Sequence, residues 1–384
     1  MKCAMFATVF TLIVTALFWL SALFVVYTYL GYPALLTLLA RTRREPPAVT
    51  PASWPSVAVI VPVHNERHHL AAKLANLREI DYPAEQLQLV FVSDGSSDGS
   101  NEFLAEQTAI DFIEYSPRAG KPTALNRAVA GQTAQVLVMT DARQAIDPGS
   151  IKRLVRQLLA DGVGAVSGNL VLGASGTTAS QVGLYWRYEK YIRQYESQYH
   201  SVAGVTGALY AIRRGDYHEL PADTLLDDFE VPIRILKNGQ RILFDKGALV
   251  FDQAQADPKT EMTRKIRTLT GNYQSFARNQ WLFTGQNPIL WQFLSHKVFR
   301  LLVPYALLIC LLSNVFVWGP LYLLTLFVQL SFYGAGLFAL MNPAFNNNRL
   351  ASFAAVFISM NWAAVKGYLV YRQQIFAVQW DKTS

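Results

Sequence analysis

The stretch VAVIVPVHNE at residues 57–66 decides the fold. It begins with an apolar, mostly β-branched run and ends with the polar side chains of His64, Asn65 and Glu66. A short apolar run that leads into turn-forming residues predicts a buried β-strand. Open α/β sheets bind ligands at the carboxyl ends of their strands, so the polar residues after this strand are candidates for a binding site.

The same pattern returns farther along the chain. Asp94 follows one later apolar run, and Asp141 and Arg143 follow another. Strands that alternate with helices of about ten residues predict βαβ units, so we expect an α/β domain with a mostly parallel sheet. One carboxylate at a strand end is as readily a helix cap, whereas several such ends indicate a shared site. The predicted strands are 57–63, 87–93, 112–115 and 136–140.

Apolar residues are concentrated at the two ends of the chain. Hydrophobic residues make up 52% of the 384 residues and charged residues only 16%, with a mean hydropathy of +0.18. Residues 3–40 and 301–341 contain no charged residue, while the middle has the composition of an ordinary globular domain. This distribution predicts a soluble domain inserted between membrane segments.

The boundaries follow from these changes in composition. The first membrane span is expected at about 8–30, interrupted by Gly31-Tyr32-Pro33. The predicted parts are a membrane segment at 1–41, a proline-rich linker at 42–56, the α/β domain at 57–282, an interfacial segment at 283–299, about three membrane segments at 300–372 and a tail at 373–384.

The net charge of +7 and the pI of about 9.3 are explained by the membrane better than by nucleic acid. Arg41, Arg43 and Arg44 follow the first apolar run, and Lys297 and Arg300 precede the next. Basic residues beside membrane spans favour the cytoplasmic side and contact anionic lipid. We therefore expect a cytoplasmic α/β domain, membrane lipid as a partner and no nucleic acid. The side on which the C-terminus lies stays open.

Several short motifs follow one another along the chain. They are PVHNE at 62–66, DGSSD at 94–98, GK at 120–121, ALN at 124–126, Asp141, GVTG at 204–207, LDD at 226–228 and RKIR at 264–267. Their order and spacing resemble those of the inverting family 2 glycosyltransferases of the GT-A fold, in particular the membrane-integrated branch with cellulose, chitin and hyaluronan synthases. The likeness covers about residues 55–280.

The resemblance implies a reaction and a set of partners. It implies transfer of a sugar, with inversion, from a nucleotide-sugar donor, with a UDP-sugar expected, to a growing polysaccharide or lipid-linked glycan at a bacterial inner membrane. Polysaccharide-export or assembly proteins are further possible partners. The alternatives are a non-processive enzyme that adds one sugar to a polyprenyl-linked acceptor, and a transporter or receptor with a degenerate nucleotide-binding domain. Transporters place ionisable residues in their spans, and these spans are nearly free of them.

The resemblance also implies donor-binding residues. Glu66 and Asp94 are expected to accept hydrogen bonds from the nucleoside, and Lys121 to approach the base or the phosphates. The expected donor-binding set is Pro62, His64, Glu66, Asp94, Lys121, Asp141, Arg143, Arg264 and Arg267.

A divalent cation, Mg²⁺ or Mn²⁺, is expected at Asp141. Expulsion of a diphosphate needs positive charge, and Mg²⁺ binds through one or two carboxylates plus phosphates. The family motif is Asp-x-Asp, but Arg143 occupies the position of the second acid. Either Asp141 holds the metal with water and another ligand, or Arg143 supplies part of the charge. A third interpretation makes Arg143 an ordinary surface residue.

Asp228 is the expected catalytic base, with Asp227 beside it. It matches the last residue of the family's Thr-Glu-Asp triplet, and repulsion between adjacent carboxylates can raise one pKa to a useful value. The alternative is that one of the pair caps a helix at 229–237.

The segment at 264–267 stands where the family has Gln-x-x-Arg-Trp. Arg267 matches the arginine and can clamp a diphosphate, while Arg264 replaces Gln and Thr268 replaces Trp. The alternative is a basic helix on lipid heads. A tyrosine-rich helix near 185–199 suits either sugar stacking or a membrane interface.

Overall fold

A computed structural model of the chain describes residues 2–173, 179–253, 258–342 and 348–374. Its strands form one sheet in the order β3-β2-β1-β4-β7-β6-β8-β5. The strands are β1 Val57–Val63, β2 Leu87–Asp94, β3 Asp111–Tyr115, β4 Val136–Thr140, β5 Ala145–Ile146, β6 Val163–Gly173, β7 Leu209–Arg213 and β8 Arg241–Gln253.

The predicted parallel core is confirmed. Strand β1 runs parallel to both β2 and β4, and β2 runs parallel to β3. Strand β7 is antiparallel to β4 and β6, and β5 is antiparallel to β8, so the sheet is mixed in its second half. Because β1, β2 and β4 are parallel, the polar residues after each of them lie at the same edge of the sheet.

Helices cover both faces of the sheet and continue into the apolar ends of the chain. They are α1 Lys2–Val26, α2 Tyr32–Ala40, α3 Arg67–Arg78, α4 Ser100–Ala105, α5 Lys121–Ala130, α6 Ser150–Leu158, α7 Ala179–Tyr199, α8 Asp227–Lys237, α9 Pro258–Arg278, α10 Leu290–Phe293, α11 Phe299–Phe316, α12 Pro320–Met341 and α13 Arg349–Gln373.

Strand β1 shows why the sheet needs helices on both faces. Every residue of β1 is buried. Val59 and Val61 pack into one core with Leu70 of α3 and Leu154 of α6, whereas Ile60 packs into the core on the opposite face. Side chains alternate between the faces of a strand, so an entirely apolar strand is stable only when both faces are covered.

Four candidate membrane spans flank the domain: Met5–Ala40, Leu290–Phe316, Pro320–Met341 and Arg349–Gln373. The expected interruption at Gly31-Tyr32-Pro33 was wrong, because the helix continues to Ala40 through a π-helical segment, Tyr27–Gly31. The Tyr32 amide donates to the Tyr27 carbonyl, and this wider turn accommodates Pro33, which lacks an amide hydrogen.

The second span begins earlier than the sequence suggested. It starts at Leu290 and passes through another π-helical segment, Leu294–Val298, so much of the expected interfacial segment 283–299 is helical. The two π segments meet: the Tyr27 hydroxyl lies 2.8 Å from the Ser295 hydroxyl.

Aromatic side chains attach the domain to the membrane helices. Tyr32 and Leu36 of α2 form a buried cluster with Ile192 of α7, and Tyr188 and Tyr195 of α7 pack around it. These tyrosines therefore contact the membrane frame, which supports the interface interpretation for that side of the helix. Helix α8, which begins with Asp227, packs in turn against α9 and α11.

Candidate active site

The ends of β1 and β2 are joined by a buried histidine. His64 lies directly after β1, and its ring Nδ1 is 2.7 Å from the backbone carbonyl oxygen of Asp94 at the end of β2. A carbonyl only accepts, so Nδ1 carries the hydrogen. Pro62 is buried in β1 opposite Val92, past the last residue of β1 that pairs with β4. Both residues therefore shape the strand edge on which the site is built.

Asp94 holds the backbone that presents Lys121. Its fully buried carboxylate accepts hydrogen bonds from the Tyr115 hydroxyl at 2.8 Å, the Ala119 amide at 2.6 Å and the Gly120 amide at 2.9 Å. Gly120 has a φ of +94°, which favours glycine. Helix α5 begins at the next residue, so Asp94 fixes the start of the helix that carries Lys121.

Lys121 brings two carboxylates together. Its ammonium lies 3.0 Å from Asp141 Oδ1 and 3.2 Å from Asp227 Oδ2. Burial opposes the charge, but Asp141 and Asp227 together raise the pKa of Lys121 above its usual value. Residues far apart in sequence are thus joined at one point, and the lysine stays cationic.

Asp228 lies next to this cluster, in the first turn of α8. Burial, and after it the negative charge of Asp227, raises the pKa of Asp228 to about 6, while Lys121 and Lys297 oppose the shift. A carboxyl group with such a pKa ionises near neutral pH and can accept a proton from a substrate. The expected repulsion between the adjacent carboxylates is present, although burial contributes more.

The loop before β7 backs Asp228. A Cβ placed on Gly207 would come within 3.5 Å of Asp228 Oδ2, and the Val205 amide donates to the Asp228 carbonyl at 3.1 Å. The N-cap of α8 is Leu226, and no side chain forms a hydrogen bond at that cap. Asp227 and Asp228 are therefore not engaged as helix caps, and both lie beside the Lys121 cluster.

Arg143 forms an ion pair that the sequence did not reveal. Its guanidinium donates to Asp252 Oδ2 at 2.8 Å, and Gln144 donates to the same oxygen at 3.1 Å. Asp252 lies near the end of β8, and its side chain is 8% exposed, so Arg143 is not an ordinary surface residue. The charge of Arg143 is largely neutralised by Asp252, while the Asp141 side chain, paired with Lys121, remains 37% exposed.

The basic segment of α9 faces the same loop. Burial and the nearby Arg143 guanidinium lower the pKa of Arg264, while Asp252 and Asp141 favour its charge. Arg267 has a buried Nε with no hydrogen-bond partner among the described residues. A buried donor without a partner is costly unless a ligand satisfies it, so Arg267 is suited to an incoming anion.

Two groups can be tested against a divalent cation. The Asp141 side chain is 37% exposed, and one open carboxylate completed by phosphate oxygens and water fits Mg²⁺ or Mn²⁺. Elsewhere, the ligand atoms of Glu66, His68 and His69 lie within 4.8 Å of one another. That group surrounds the first turn of α3, whose positive helix dipole disfavours a dication. Asp141 is therefore the better ligand.

Lys73 of α3 supports the loop that carries Asp141, and no pattern in the sequence indicated this contact. This lysine of α3 is 2% exposed, and its ammonium donates to Thr140 Oγ1 at 3.1 Å and to the Gln144 carbonyl at 2.8 Å. The two acceptors bracket Asp141 in sequence. Burial lowers the pKa of Lys73 from an ordinary 10.5 to about 7, although Asp141 favours the charge. Only a lysine in the middle of an amphipathic helix was visible beforehand.

We expect Lys73→Met to remove a pH dependence of stability. A lysine with a lowered pKa in the folded state gives a stabilising contribution that is complete above pH 10.5 and is lost as the pH falls towards 7. The wild type should therefore gain thermal stability relative to Lys73→Met between pH 7 and pH 10. Melting curves of both proteins in the same detergent at several pH values measure this. Parallel curves would show that Lys73 is not buried as described.

Comparison with known proteins finds relatives of this fold. Residues 58–220 match the family model described as Glycosyl transferase family 2. The fold is similar to that of a mannosyltransferase, PcManGT, from Pyrobaculum calidifontis in complex with GDP-Man and Mn²⁺. The TM-score is 0.72 at 23% identity, covering 94% of this chain and 100% of the other. The predicted GT-A fold is thereby confirmed.

Curated relatives extend over shorter regions. Over 235 residues the chain is 28% identical to a probable glycosyltransferase, YdaM, of Bacillus subtilis, covering 57% of this chain and 55% of that protein. Over 122 residues it is 29% identical to a putative cellulose synthase 2 of Komagataeibacter xylinus, covering 32% of this chain and 8% of that protein. The chain therefore spans about half the length of the first relative and a small part of the second.

Proposed function

We propose that this protein is an inverting glycosyltransferase that moves a sugar from a nucleotide-sugar donor to an acceptor at the membrane. The observation that carries the proposal is the cluster at Lys121, where Asp141 and Asp227 lie within 3.2 Å of one ammonium and Asp228 is adjacent. Carboxylates and a cation at the carboxyl ends of parallel strands supply what transfer from a nucleotide sugar needs.

The residues divide into a donor side and an acceptor side. On the donor side, Asp141 holds a divalent cation, which neutralises charge on the leaving diphosphate when it is bound. Arg264 and Arg267 of α9 donate to phosphate oxygens. Glu66 contacts the donor from the loop after β1, and Lys121 contacts it from the first residue of α5. Asp94, whose buried carboxylate already accepts three hydrogen bonds from the chain, acts by fixing the loop before α5.

The acceptor side performs the proton transfer. The acceptor oxygen attacks the anomeric carbon of the donor sugar, and its proton passes to Asp228 as the new bond forms. The bond between that carbon and the diphosphate oxygen breaks at the same time, and the diphosphate leaves with both electrons. Attack from the face opposite the leaving group converts an α-linked donor into a β-linked product.

The acceptor is a growing polysaccharide or a lipid-linked glycan. Similarity to a putative cellulose synthase supports the first, and the non-processive transfer of one sugar to a polyprenyl-linked acceptor is the alternative. Thr268 stands where the tryptophan of the synthases is expected, which favours short products. The donor is expected to be a UDP-sugar.

The test is direct. Purified full-length protein is incubated in lipid nanodiscs with a panel of UDP-, GDP- and dTDP-sugars, with Mg²⁺, with Mn²⁺ or with EDTA. Release of nucleoside diphosphate that depends on one sugar and on the cation is the expected result. Absence of release from every donor in every lipid tested contradicts the proposal.

We expect residues 55–280 to face the cytoplasm of a bacterial inner membrane. Nucleotide sugars are made there, and Arg41, Arg43 and Arg44 after the first span favour that side. A fluorescent reporter that folds only in the cytoplasm, fused after residue 200, should be active, and a periplasmic phosphatase at the same position should not. The reverse pattern rules out this orientation.

A further inference from the structure

Lys297 is a charged residue inside a candidate membrane span, and its ammonium is not paired. It belongs to the π-helical segment Leu294–Val298 in the span Leu290–Phe316. In the part of the chain that the structure describes, neither a hydrogen bond nor an ion pair engages this ammonium. The ammonium lies over the ring of Phe229, 5.9 Å from its centroid. Ionisable residues in such segments are costly and mark functional sites.

The position of Lys297 connects the membrane helix to the catalytic carboxylate. Phe229 directly follows Asp228 in the first turn of α8, so the lysine lies over that turn. Its charge is among those that act on Asp228. The lysine therefore joins the membrane span to the turn of α8 that carries Asp228.

A second cation supports the same region. Arg193 of α7 donates to Ser167 Oγ at 2.7 Å and to the Gly204 carbonyl at 3.3 Å. Both acceptors are neutral. Gly204 begins the loop that backs Asp228, and Asp228 is one of the charges that favour the Arg193 guanidinium. The guanidinium is therefore fixed beside the acceptor side without a bonded carboxylate among the described residues.

The nearby acids are already engaged. Glu189 pairs with Arg300 and lies 3.1 Å from His296 Nε2. Glu196 accepts a hydrogen bond from the Tyr32 hydroxyl at 2.6 Å and lies 2.8 Å from His296 Nδ1. These contacts fasten α7 to the membrane helices. Both carboxylates favour the charge of Lys297, but neither forms an ion pair with it among the described residues, and Glu196 Oε2 has no hydrogen-bond partner there.

The π-helical turn fixes where Lys297 lies. Ser295 meets the Tyr27 hydroxyl at 2.8 Å, and the Trp291 indole donates to the same hydroxyl at 2.9 Å. Tyr27 itself begins the π-helical segment of the first span. Insertions of this kind in α-helices are frequent at functional sites, because they redirect the side chains that follow.

We propose that Lys297, supported by Arg193, binds the phosphate group of a membrane-lipid acceptor and so places the accepting oxygen at Asp228. This inference rests on the proposed glycosyltransferase function and specifies its acceptor as a sugar joined through a phosphate or diphosphate to a long apolar chain, so that the accepting oxygen is a sugar hydroxyl whose proton passes to Asp228. The apolar chain lies along the spans, and the phosphate lies at the ammonium. Lysine at the membrane interface is well suited to a phosphate head group.

Binding of dodecyl phosphate tests the site without requiring catalysis. Full-length protein in phosphatidylcholine nanodiscs is titrated with dodecyl phosphate, dodecanol and inorganic phosphate, and bound ligand is counted by native mass spectrometry. The variants are Lys297→Met, Lys297→Arg and, as a matched control, Lys366→Met, which removes an exposed lysine of α13. Melting curves confirm that each variant is folded.

The relative affinities for the three ligands distinguish a lipid phosphate from free phosphate and from an apolar chain alone. Wild type should bind dodecyl phosphate at least about tenfold more tightly than dodecanol or inorganic phosphate, the scale of one charge-assisted hydrogen bond. Lys297→Met should lose this preference, while Lys297→Arg and Lys366→Met keep it. Unchanged binding in Lys297→Met, equal binding of dodecanol, or equal binding of inorganic phosphate would each overturn the proposal.

The same variants distinguish this inference from the proposed function. If Lys297→Met keeps its affinity for dodecyl phosphate and only shifts the pH profile of donor turnover, the lysine tunes Asp228 and does not bind acceptor. That result overturns the acceptor site and leaves the glycosyltransferase intact. If no donor is turned over but Lys297 still selects dodecyl phosphate, the lipid site stands and the proposed function fails.

Discussion

Asp141→Ala is expected to lower donor turnover by about 10²-fold or more and to abolish the effect of Mg²⁺ or Mn²⁺ on nucleotide affinity. The Asp141 side chain is 37% exposed, and its ion-pair partner Lys121 is shared with Asp227, so a carboxylate oxygen remains accessible to a cation. Without it, the leaving diphosphate loses the cation that neutralises it. Lys121 keeps one partner in Asp227, so the fold should persist.

The measurement pairs turnover with binding. Nucleoside diphosphate release is compared for the wild type, Asp141→Ala and Asp161→Ala, an exposed carboxylate after α6 that serves as the matched control. Nucleotide affinity is measured with and without cation by calorimetry. Near-normal turnover in Asp141→Ala, or a retained cation effect, would show that another group holds the metal.

The sequence predicted the half of the fold in which each element has a simple pattern. Strand β1 is uniformly apolar because helices cover both its faces, and this pattern was legible as a buried parallel strand. The residues after β1, β2 and β4 could be placed at one edge for the same reason. Strand β8 was missed, since a polar break at 245–247 divides it into two short apolar runs. Asp252, a carboxylate near a strand end like the others, was missed with it.

Contacts between distant elements were beyond the sequence. Lys73 on α3 and Arg193 on α7 are ordinary residues of helical segments until the sheet and the membrane helices bring them beneath the loop of Asp141 and beside Asp228. The internal contacts of Asp94 could not be predicted for a similar reason. A carboxylate at a strand end can face a ligand or its own chain, and here three internal donors occupy it.

The membrane helices differ from the sequence prediction at two segments, where the helix continues through residues that were expected to interrupt or precede it. Gly31-Tyr32-Pro33 is a turn signal in water, yet a π-helical segment carries the helix through it because a span cannot leave backbone groups unpaired in lipid. The same irregularity recurs at Leu294–Val298, which sets His296 against Glu196 and Lys297 over α8. No local pattern in the sequence distinguishes such a segment from ordinary helix.

Asp228→Asn is expected to keep donor binding and to lose transfer by about 10²–10⁴-fold, the usual contribution of a general base. Asparagine has the size of aspartate and keeps much of its hydrogen bonding beside Gly207, but it cannot take the acceptor proton. Loss should therefore appear in turnover, with nucleotide affinity nearly unchanged. Asp227→Asn should act more mildly on chemistry, through Lys121 and through the pKa of its neighbour.

The pH dependence of kcat/KM is a second, independent test of Asp228 as the base. Because burial and Asp227 raise the pKa of Asp228 to about 6, kcat/KM of the wild type should rise with pH through about 6 as the base loses its proton. The residual activity of Asp228→Asn should lack this limb. Asp227→Asn removes a neighbouring negative charge, so its limb should move to lower pH.

The thermal stability of the variants is the control that separates a loss of chemistry from a loss of folding. An aspartate with a raised pKa in the folded state contributes stability that is present below its ordinary pKa and is lost as the pH rises through about 6. At pH 7.5 the ionised side chain is therefore a cost, and Asp228→Asn should melt no lower than the wild type. If it turns over normally while Asp227→Asn is inactive, Asp227 is the base. If both variants simply melt earlier, the pair is structural, and the proton acceptor lies elsewhere in the site.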